Sequence, residues 1–135
     1  MVLGIGTDIL KIDRLLPETL TPADSFFKKT FTAEEAEEAA TRPNPFHYFA
    51  TRFAGKEAVF KALRLHPDGV RLCDIEILTS LDGSPYVILH GRLLKIAEEK
   101  GIDQILLSLS YDTDYAIAYA LAQGEGPQGM TLMPD

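Results

Sequence analysis

Two carboxylates stand out because of where they sit. Asp8 interrupts an apolar run, VLGIGTDIL. A carboxylate in such a segment is costly to bury unless it is paired, hydrogen-bonded or bound to a metal. The plainer reading of Asp8 is a turn cap at the end of a strand. Glu57 lies in RFAGKEAVFKAL, one helical turn before Lys61. At about 100° per residue, Ala54, Gly55, Ala58, Val59, Ala62 and Leu65 gather on one side of a helix. Glu57, Lys61 and Arg64 fall on the other side, beside Phe53 and Phe60. An exposed Glu–Lys pair at this spacing stabilises a helix by only roughly 0.3–0.5 kcal/mol, but aromatic neighbours are more in keeping with a cleft wall than with a solvated face.

Taken together, Asp8 and Glu57 offer two hard oxygen ligands. That is the number Mg²⁺ usually takes from protein when water and substrate phosphate fill its other positions. Arg52, Lys56, Lys61 and Arg64 supply cations for phosphate charge. The set fits Mg²⁺-assisted chemistry on a phosphate ester or anhydride better than zinc hydrolysis. His47, His66 and His90 are scattered and form no triad or ligand set; each reads as a surface or packing residue. No G-x-x-x-x-G-K-[ST] loop occurs, and the glycines at 4 and 6 lack the third member of a dinucleotide fingerprint.

The elements that must position these residues are legible in outline. The opening run reads as a buried strand on which Gly4, Gly6 and Asp8 share one face. Thr21-Pro22-Ala23-Asp24 reads as a helix start with proline in the first turn. Thr32 and Glu35 fit a capping box. Asn44-Pro45 opens the longest helical stretch, closed near His66-Pro67-Asp68-Gly69. DIEILTS and PYVILH flank Leu81-Asp82-Gly83-Ser84 as a hairpin. Gly91 to Lys100 reads as an amphipathic helix ended by Gly101. Two strands follow, the second alternating Tyr115, Ile117, Tyr119 and Leu121 with Ala116, Ala118, Ala120 and Ala122. The order β-α-α-α-β-β-α-β-β predicts an α+β fold, with helices packed on a small, mostly antiparallel sheet. Residues 1–123 read as a single domain and 124–135 as a mobile tail.

Composition bounds the rest. The chain has 135 residues, 46% of them hydrophobic and 24% charged, which excludes disorder and suits one compact domain. No apolar run approaches the roughly 20 residues of a membrane-spanning helix. Cys73 is alone, so no disulfide framework exists and the thiol reads as a small packed group. A reducing, cytoplasmic setting is expected, or a mitochondrial matrix if a targeting peptide has been removed. The net charge of −7 argues against a nucleic-acid partner. It is unevenly spread. Residues 1–64 carry nine Lys/Arg and nine Asp/Glu, whereas residues 65–135 carry four against eleven. Anion-holding cations must therefore come mainly from the first half.

GIGTDIL, RFAGKEAVFKAL, DIEIL with Gly83-Ser84-Pro85, and LSLSYD, in this order, resemble the small holo-[acyl-carrier-protein] synthase type of 4'-phosphopantetheinyl transferase. The resemblance runs from about Leu3 to Ala122. It implies the 4'-phosphopantetheinyl transferase fold and transfer of the phosphopantetheine arm of coenzyme A to a serine of apo acyl carrier protein. Adenosine 3',5'-bisphosphate would be released. It further implies Asp8 and Glu57 as Mg²⁺ ligands, with Asp8, Glu57 and Lys61 catalytic. Arg52, Lys56, Lys61, Pro85, Ser108 and Ser110 would meet coenzyme A. Lys11, Arg14 and Lys28, with Lys29, are the candidates for docking the acidic carrier protein; of these, Arg14 matches a family position. Proteins of this type and length are usually homotrimers with sites between chains. Many relatives carry histidine where this chain has Leu106 and Tyr111, so roles of those histidines do not transfer.

The residues alone leave two rivals. One is a catalytically silent module whose Glu57/Lys61 face only mediates subunit contacts. The other is a coenzyme A-binding thioesterase-like domain, disfavoured by three helical signals ahead of the main sheet region.

Overall fold

The computed structural model describes residues 1–128. Strand β1 (Val2–Lys11) is followed by three helices: α1 (Ser25–Thr30), α2 (Ala33–Ala40) and α3 (Pro45–Ala62). Hairpin β2 (Ile75–Thr79) and β3 (Pro85–Leu89), helix α4 (Gly91–Glu99), β4 (Ile102–Tyr111) and β5 (Tyr115–Gly124) complete the order. The strands form a three-stranded sheet, β1-β5-β4, and a separate β2-β3 pair, with every pairing antiparallel. The expected α+β architecture is present, its strands divided between two sheets.

Alternation fixes the faces of the main sheet. Gly4, Gly6 and Asp8 pair with Ala122, Ala120 and Ala118, so this row lies on the inner face. Ile5, Thr7 and Ile9 pair with Leu121, Tyr119 and Ile117 on the outer face. Helix α3 covers the inner face, where Ala54, Ala58 and Ala62 meet the alanines of β5 in one core. Eleven of the eighteen α3 residues are buried, because the helix runs between this sheet and α2 with the β2-β3 hairpin. It is a central helix, and the one-sided amphipathic helix of the sequence reading understates its burial.

Helix starts follow cap chemistry. Thr32 and Glu35 form the capping box. Asn44 accepts the His47 N–H at 3.3 Å, with Pro45 in the first turn. Helix α1 begins later than expected. Thr21–Asp24 closes as a turn, and Asp24, whose Oδ1 accepts the Phe26 N–H at 2.8 Å, is the cap. The hairpin turn behaves as its sequence requires: Gly83 takes φ 90° and donates to Ser80 O at 3.0 Å. Gly124 belongs to β5, and Gly126 donates to Gly101 O at 3.2 Å, so the chain stays tied to the fold past the expected boundary at 123. The rest of the expected tail, from residue 129, lies outside the described residues. Among the described residues no helix is long and apolar enough to cross a membrane.

Candidate active site

Asp8 is the first residue of β1 on the inner face to carry a side chain beyond the two glycines, and it emerges beside the last turns of α3. Lys61 Nζ stands 3.4 Å from Asp8 Oδ1 and donates to Thr7 O at 3.0 Å. Glu57, one turn back on the same helix face, is half-buried and close enough to sense the Asp8 charge. Burial, the larger cause, and Asp8 both push the Glu57 carboxyl above the ordinary range, and Lys61 opposes them. Burial likewise raises the Asp8 carboxyl, with Lys61 drawing it back. The result is a pair of like charges held together with a single ammonium against them. A divalent cation would relieve that arrangement, and the donor set suits a hard ion. Among the described residues no three His, Cys, Asp or Glu side chains converge, which leaves a two-carboxylate centre of the kind Mg²⁺ takes.

Arg64 does not extend this face. Helix α3 ends at Ala62, and Arg64 turns away in a left-handed conformation with φ 57°. Phe53 and Phe60 are half-buried and pack against the core, Phe53 facing the Phe26 ring at 5.9 Å.

The other cations of α3 divide. Lys56 is fully buried, and its Nζ meets Glu35 Oε1 at 2.8 Å, the carbonyl of Leu72 at 3.1 Å and that of Ile75. Glu35 is equally buried and also accepts the N–H groups of Thr32 and Ile77 at 2.9 and 2.8 Å. Lys56 thus joins α2, α3 and β2 inside the fold and presents no ammonium to a ligand, contrary to its expected place among the coenzyme A contacts. The physical reason is Glu35, a buried partner that the local sequence of α3 does not reveal.

Arg52 is nine-tenths buried but opens onto a cavity. Its guanidinium stacks on the Tyr48 ring at 4.0 Å and donates to Thr79 Oγ1 at 2.7 Å. Its Nε has no hydrogen-bond partner among the described residues. Glu38 organises this corner, accepting Tyr48 Oη at 2.6 Å and the Thr79 N–H at 3.0 Å, and lying 3.5 Å from Arg52. Arg42 reaches the same Thr79 hydroxyl at 2.9 Å. The cavity, about 190 Å³, is lined by both arginines, His47 and Tyr111, whose ring lies 5.1 Å from that of His47. Pro85 pairs with Thr79 across the hairpin and so flanks this corner. Two convergent guanidiniums make an anion-accepting pocket. The sequence reading missed Arg42, Glu38, Tyr48 and Thr79. One signal was available for Glu38 and Arg42: their i,i+4 spacing pairs them at the C-terminal end of α2, where a cation also suits the helix dipole.

Ser108 and Ser110 lie elsewhere. They pair with Tyr119 and Ile117 and project from the outer face of the sheet, opposite to Asp8. Within one chain they cannot share a ligand with the carboxylate pair. Around them the outer face is apolar, with Ile5, Ile9 and Tyr119 at 72%, 65% and 59% exposure beside Leu106. Lys11, Arg14, Lys28 and Lys29 are all exposed, Lys11 with Asp13 at 3.8 Å. His90, at the N-cap of α4, meets Glu76 Oε1 of β2 at 3.0 Å.

Residues 4–120 match the model of the 4'-phosphopantetheinyl transferase superfamily. The chain is 40% identical over 120 residues to a holo-[acyl-carrier-protein] synthase of Rhodopirellula baltica, spanning 89% of this chain and 96% of that protein. Its fold superposes on the crystal structure of holo-[acyl-carrier-protein] synthase from Neisseria meningitidis with a TM-score of 0.81 at 34% identity, covering 91% and 99% of the two chains. A coenzyme A complex of the corresponding protein from Chronobacterium ammoniagenes matches with a TM-score of 0.77 at 31% identity, covering 90% and 97%.

Proposed function

The chain belongs to the 4'-phosphopantetheinyl transferase superfamily, among its holo-[acyl-carrier-protein] synthases, and from that membership we propose a Mg²⁺-dependent mechanism centred on Asp8, Glu57 and Lys61. The reaction is transfer of phosphopantetheine from coenzyme A to a serine of apo acyl carrier protein. The observation that carries the mechanism is the meeting of Asp8 and Lys61 where β1 packs on α3, Nζ 3.4 Å from Oδ1, with Glu57 one turn back on the same helix face.

In this mechanism the serine oxygen bonds to the phosphorus that bears the pantetheine. The bond from that phosphorus to the bridging oxygen breaks, and adenosine 3',5'-bisphosphate departs with the electron pair. Asp8 and Glu57 would hold Mg²⁺, which would supply charge neutralisation for the phosphate groups of coenzyme A. Lys61 turns its ammonium from Asp8 and the Thr7 carbonyl to the leaving phosphate, where charge develops. Glu57 is the chain's own carboxylate able to take the serine proton. Arg42 and Arg52 hold a further anionic group of coenzyme A, with Tyr48 and Glu38 fixing the Arg52 fork.

The active unit is a homotrimer in this reading. Support comes from the apolar outer face: an exposed row of Ile5, Ile9, Leu106 and Tyr119 on one sheet surface is characteristic of a protein contact. A subunit contact on that face would also take in Ser108 and Ser110, which project from it. The exposed lysines and Arg14 would meet the acidic carrier protein, and the lone thiol fits a cytoplasmic setting. The test is product analysis. Incubation with apo acyl carrier protein, coenzyme A and Mg²⁺ should release adenosine 3',5'-bisphosphate, resolved by ion-exchange chromatography, and a chelator should stop it. Release at an unchanged rate in the chelator would contradict the metal mechanism.

A further inference from the structure

Glycine at positions 4 and 6 is not required by backbone conformation, since neither residue has a left-handed φ. The requirement is space. A Cβ built on Gly6 would lie 2.0 Å from the carbonyl oxygen of Ala58, 2.8 Å from the Ala62 nitrogen and 2.9 Å from Lys61 Cβ. On Gly4 it would lie 1.9 Å from the Ala62 oxygen. Contacts under 3.0 Å are essentially never made by a real Cβ, and the obstacles here are mostly helix backbone, which cannot swing aside. The partners of these glycines on β5, Ala120 and Ala122, are buried alanines. Helix α3 therefore rests on bare strand backbone and methyl groups.

The turn of α3 that makes the Gly6 contact is the one that carries the chemistry. Ala58 follows Glu57 directly, and Lys61 itself touches the position a Gly6 side chain would fill. Asp8 is the next residue on the same face of β1, about 7 Å further along the strand. We propose that Gly6 is a positioning residue for the metal site: its missing side chain sets the depth at which α3 docks on β1, and with it the distance between the Asp8 and Glu57 carboxylates. This rests on the Mg²⁺ reading given above. A methyl group at position 6 forces helix and strand apart by about 1 Å or more at that turn. Mg²⁺ holds oxygens at about 2.0–2.1 Å in a near-rigid octahedron, whereas Ca²⁺ accepts about 2.3–2.6 Å in variable geometry. Loosening the pair therefore penalises Mg²⁺ more than Ca²⁺. Gly4→Ala makes an equally severe clash two residues further from Asp8, and serves as a control of matched strain.

The experiment is metal binding by calorimetry and by thermal shift on wild type, Gly6→Ala and Gly4→Ala, without substrate. Gly6→Ala is expected to lose Mg²⁺ affinity by roughly 10–100-fold and Ca²⁺ affinity by under about threefold, with Gly4→Ala keeping both within about threefold. Equal losses in the two glycine variants, or an unchanged Mg²⁺ to Ca²⁺ ratio in Gly6→Ala, would overturn the proposal. If Gly6→Ala does not fold, the same ratio is read in Ala118→Val. Ala118 is fully buried opposite Asp8, so its added methyls wedge the same layer, and an unchanged ratio there overturns the proposal equally. A wild type that binds neither ion refutes the metal reading itself, a distinct outcome.

Discussion

Replacing Lys56 by methionine separates an internal strut from a ligand contact. Lys56 and Glu35 are both fully buried, 2.8 Å apart. With the ammonium gone, the Glu35 charge keeps only the N–H groups of Thr32 and Ile77, and the carbonyls of Leu72 and Ile75 lose their donor. Removing one partner of a buried pair costs about 3–5 kcal/mol. In a domain of this length each kcal/mol lowers Tm by about 3–5 °C, so Lys56→Met should melt roughly 10–20 °C below wild type. Pairing it with Glu35→Gln removes the stranded charge and should recover about half of the loss. The assay is thermal melting by circular dichroism, joined to coenzyme A saturation kinetics well below the variant's Tm. The KM for coenzyme A should stay within about twofold of wild type, because the ammonium is fully buried on Glu35, out of reach of a ligand. A variant that melts within about 2 °C of wild type and raises that KM tenfold would refute the reasoning, and would mean that Lys56 leaves the core to meet the substrate.

Other outcomes follow from the same geometry. Glu57→Gln should raise the Tm of the metal-free protein at pH 7, because a carboxylate with a raised folded pKa loses its stabilising contribution as pH rises through that value. The advantage should vanish as pH falls below the ordinary glutamate value of 4.5, and a Tm difference independent of pH would contradict it. Lys61→Met should lower kcat by roughly 10²–10³ while keeping the Mg²⁺-induced thermal shift, since its ammonium acts on the leaving phosphate; loss of both together would make it a structural residue. Tyr119→Glu, in the middle of the apolar outer face, should convert a three-chain species into single chains in sedimentation velocity and lower transfer at least about 100-fold. An intact trimer carrying that substitution would place the subunit contact elsewhere.

Much of this was legible in the residues, and the gaps have a common physical cause. Period-two alternation put Gly4, Gly6 and Asp8 on one face, and local caps at Thr32 and Asn44 marked two helix starts. The Glu57–Lys61 spacing placed both on one side of α3. What local pattern could not supply was the partner across space. Lys56 and Lys61 belong to one short motif, and only Glu35 on α2 separates the strut from the site cation. Alternation put Ser108 and Ser110 on one face of β4, yet which face α3 covers is a tertiary fact, and it sets them opposite Asp8. Phe53 drew attention as an aromatic beside the charged side of the helix wheel, and what it packs on is the Phe26 ring of α1 at the edge of the core. Arg64 continued the wheel on paper only, because α3 ends before it. The helix start at Thr21-Pro22 failed for a smaller reason: a closed turn intervenes, and the Asp24 side chain caps the helix after it.

Phosphopantetheine transfer is proposed to rest on the Asp8–Glu57 pair, served by Lys61. Intact-mass spectrometry of apo acyl carrier protein after incubation with coenzyme A and Mg²⁺ tests it most directly, with wild type, Asp8→Asn and Glu57→Gln compared at matched folded concentration. The phosphopantetheine mass increment is expected with wild type alone, each variant falling by at least about 100-fold in rate. Full modification by either variant at the wild-type rate would contradict it.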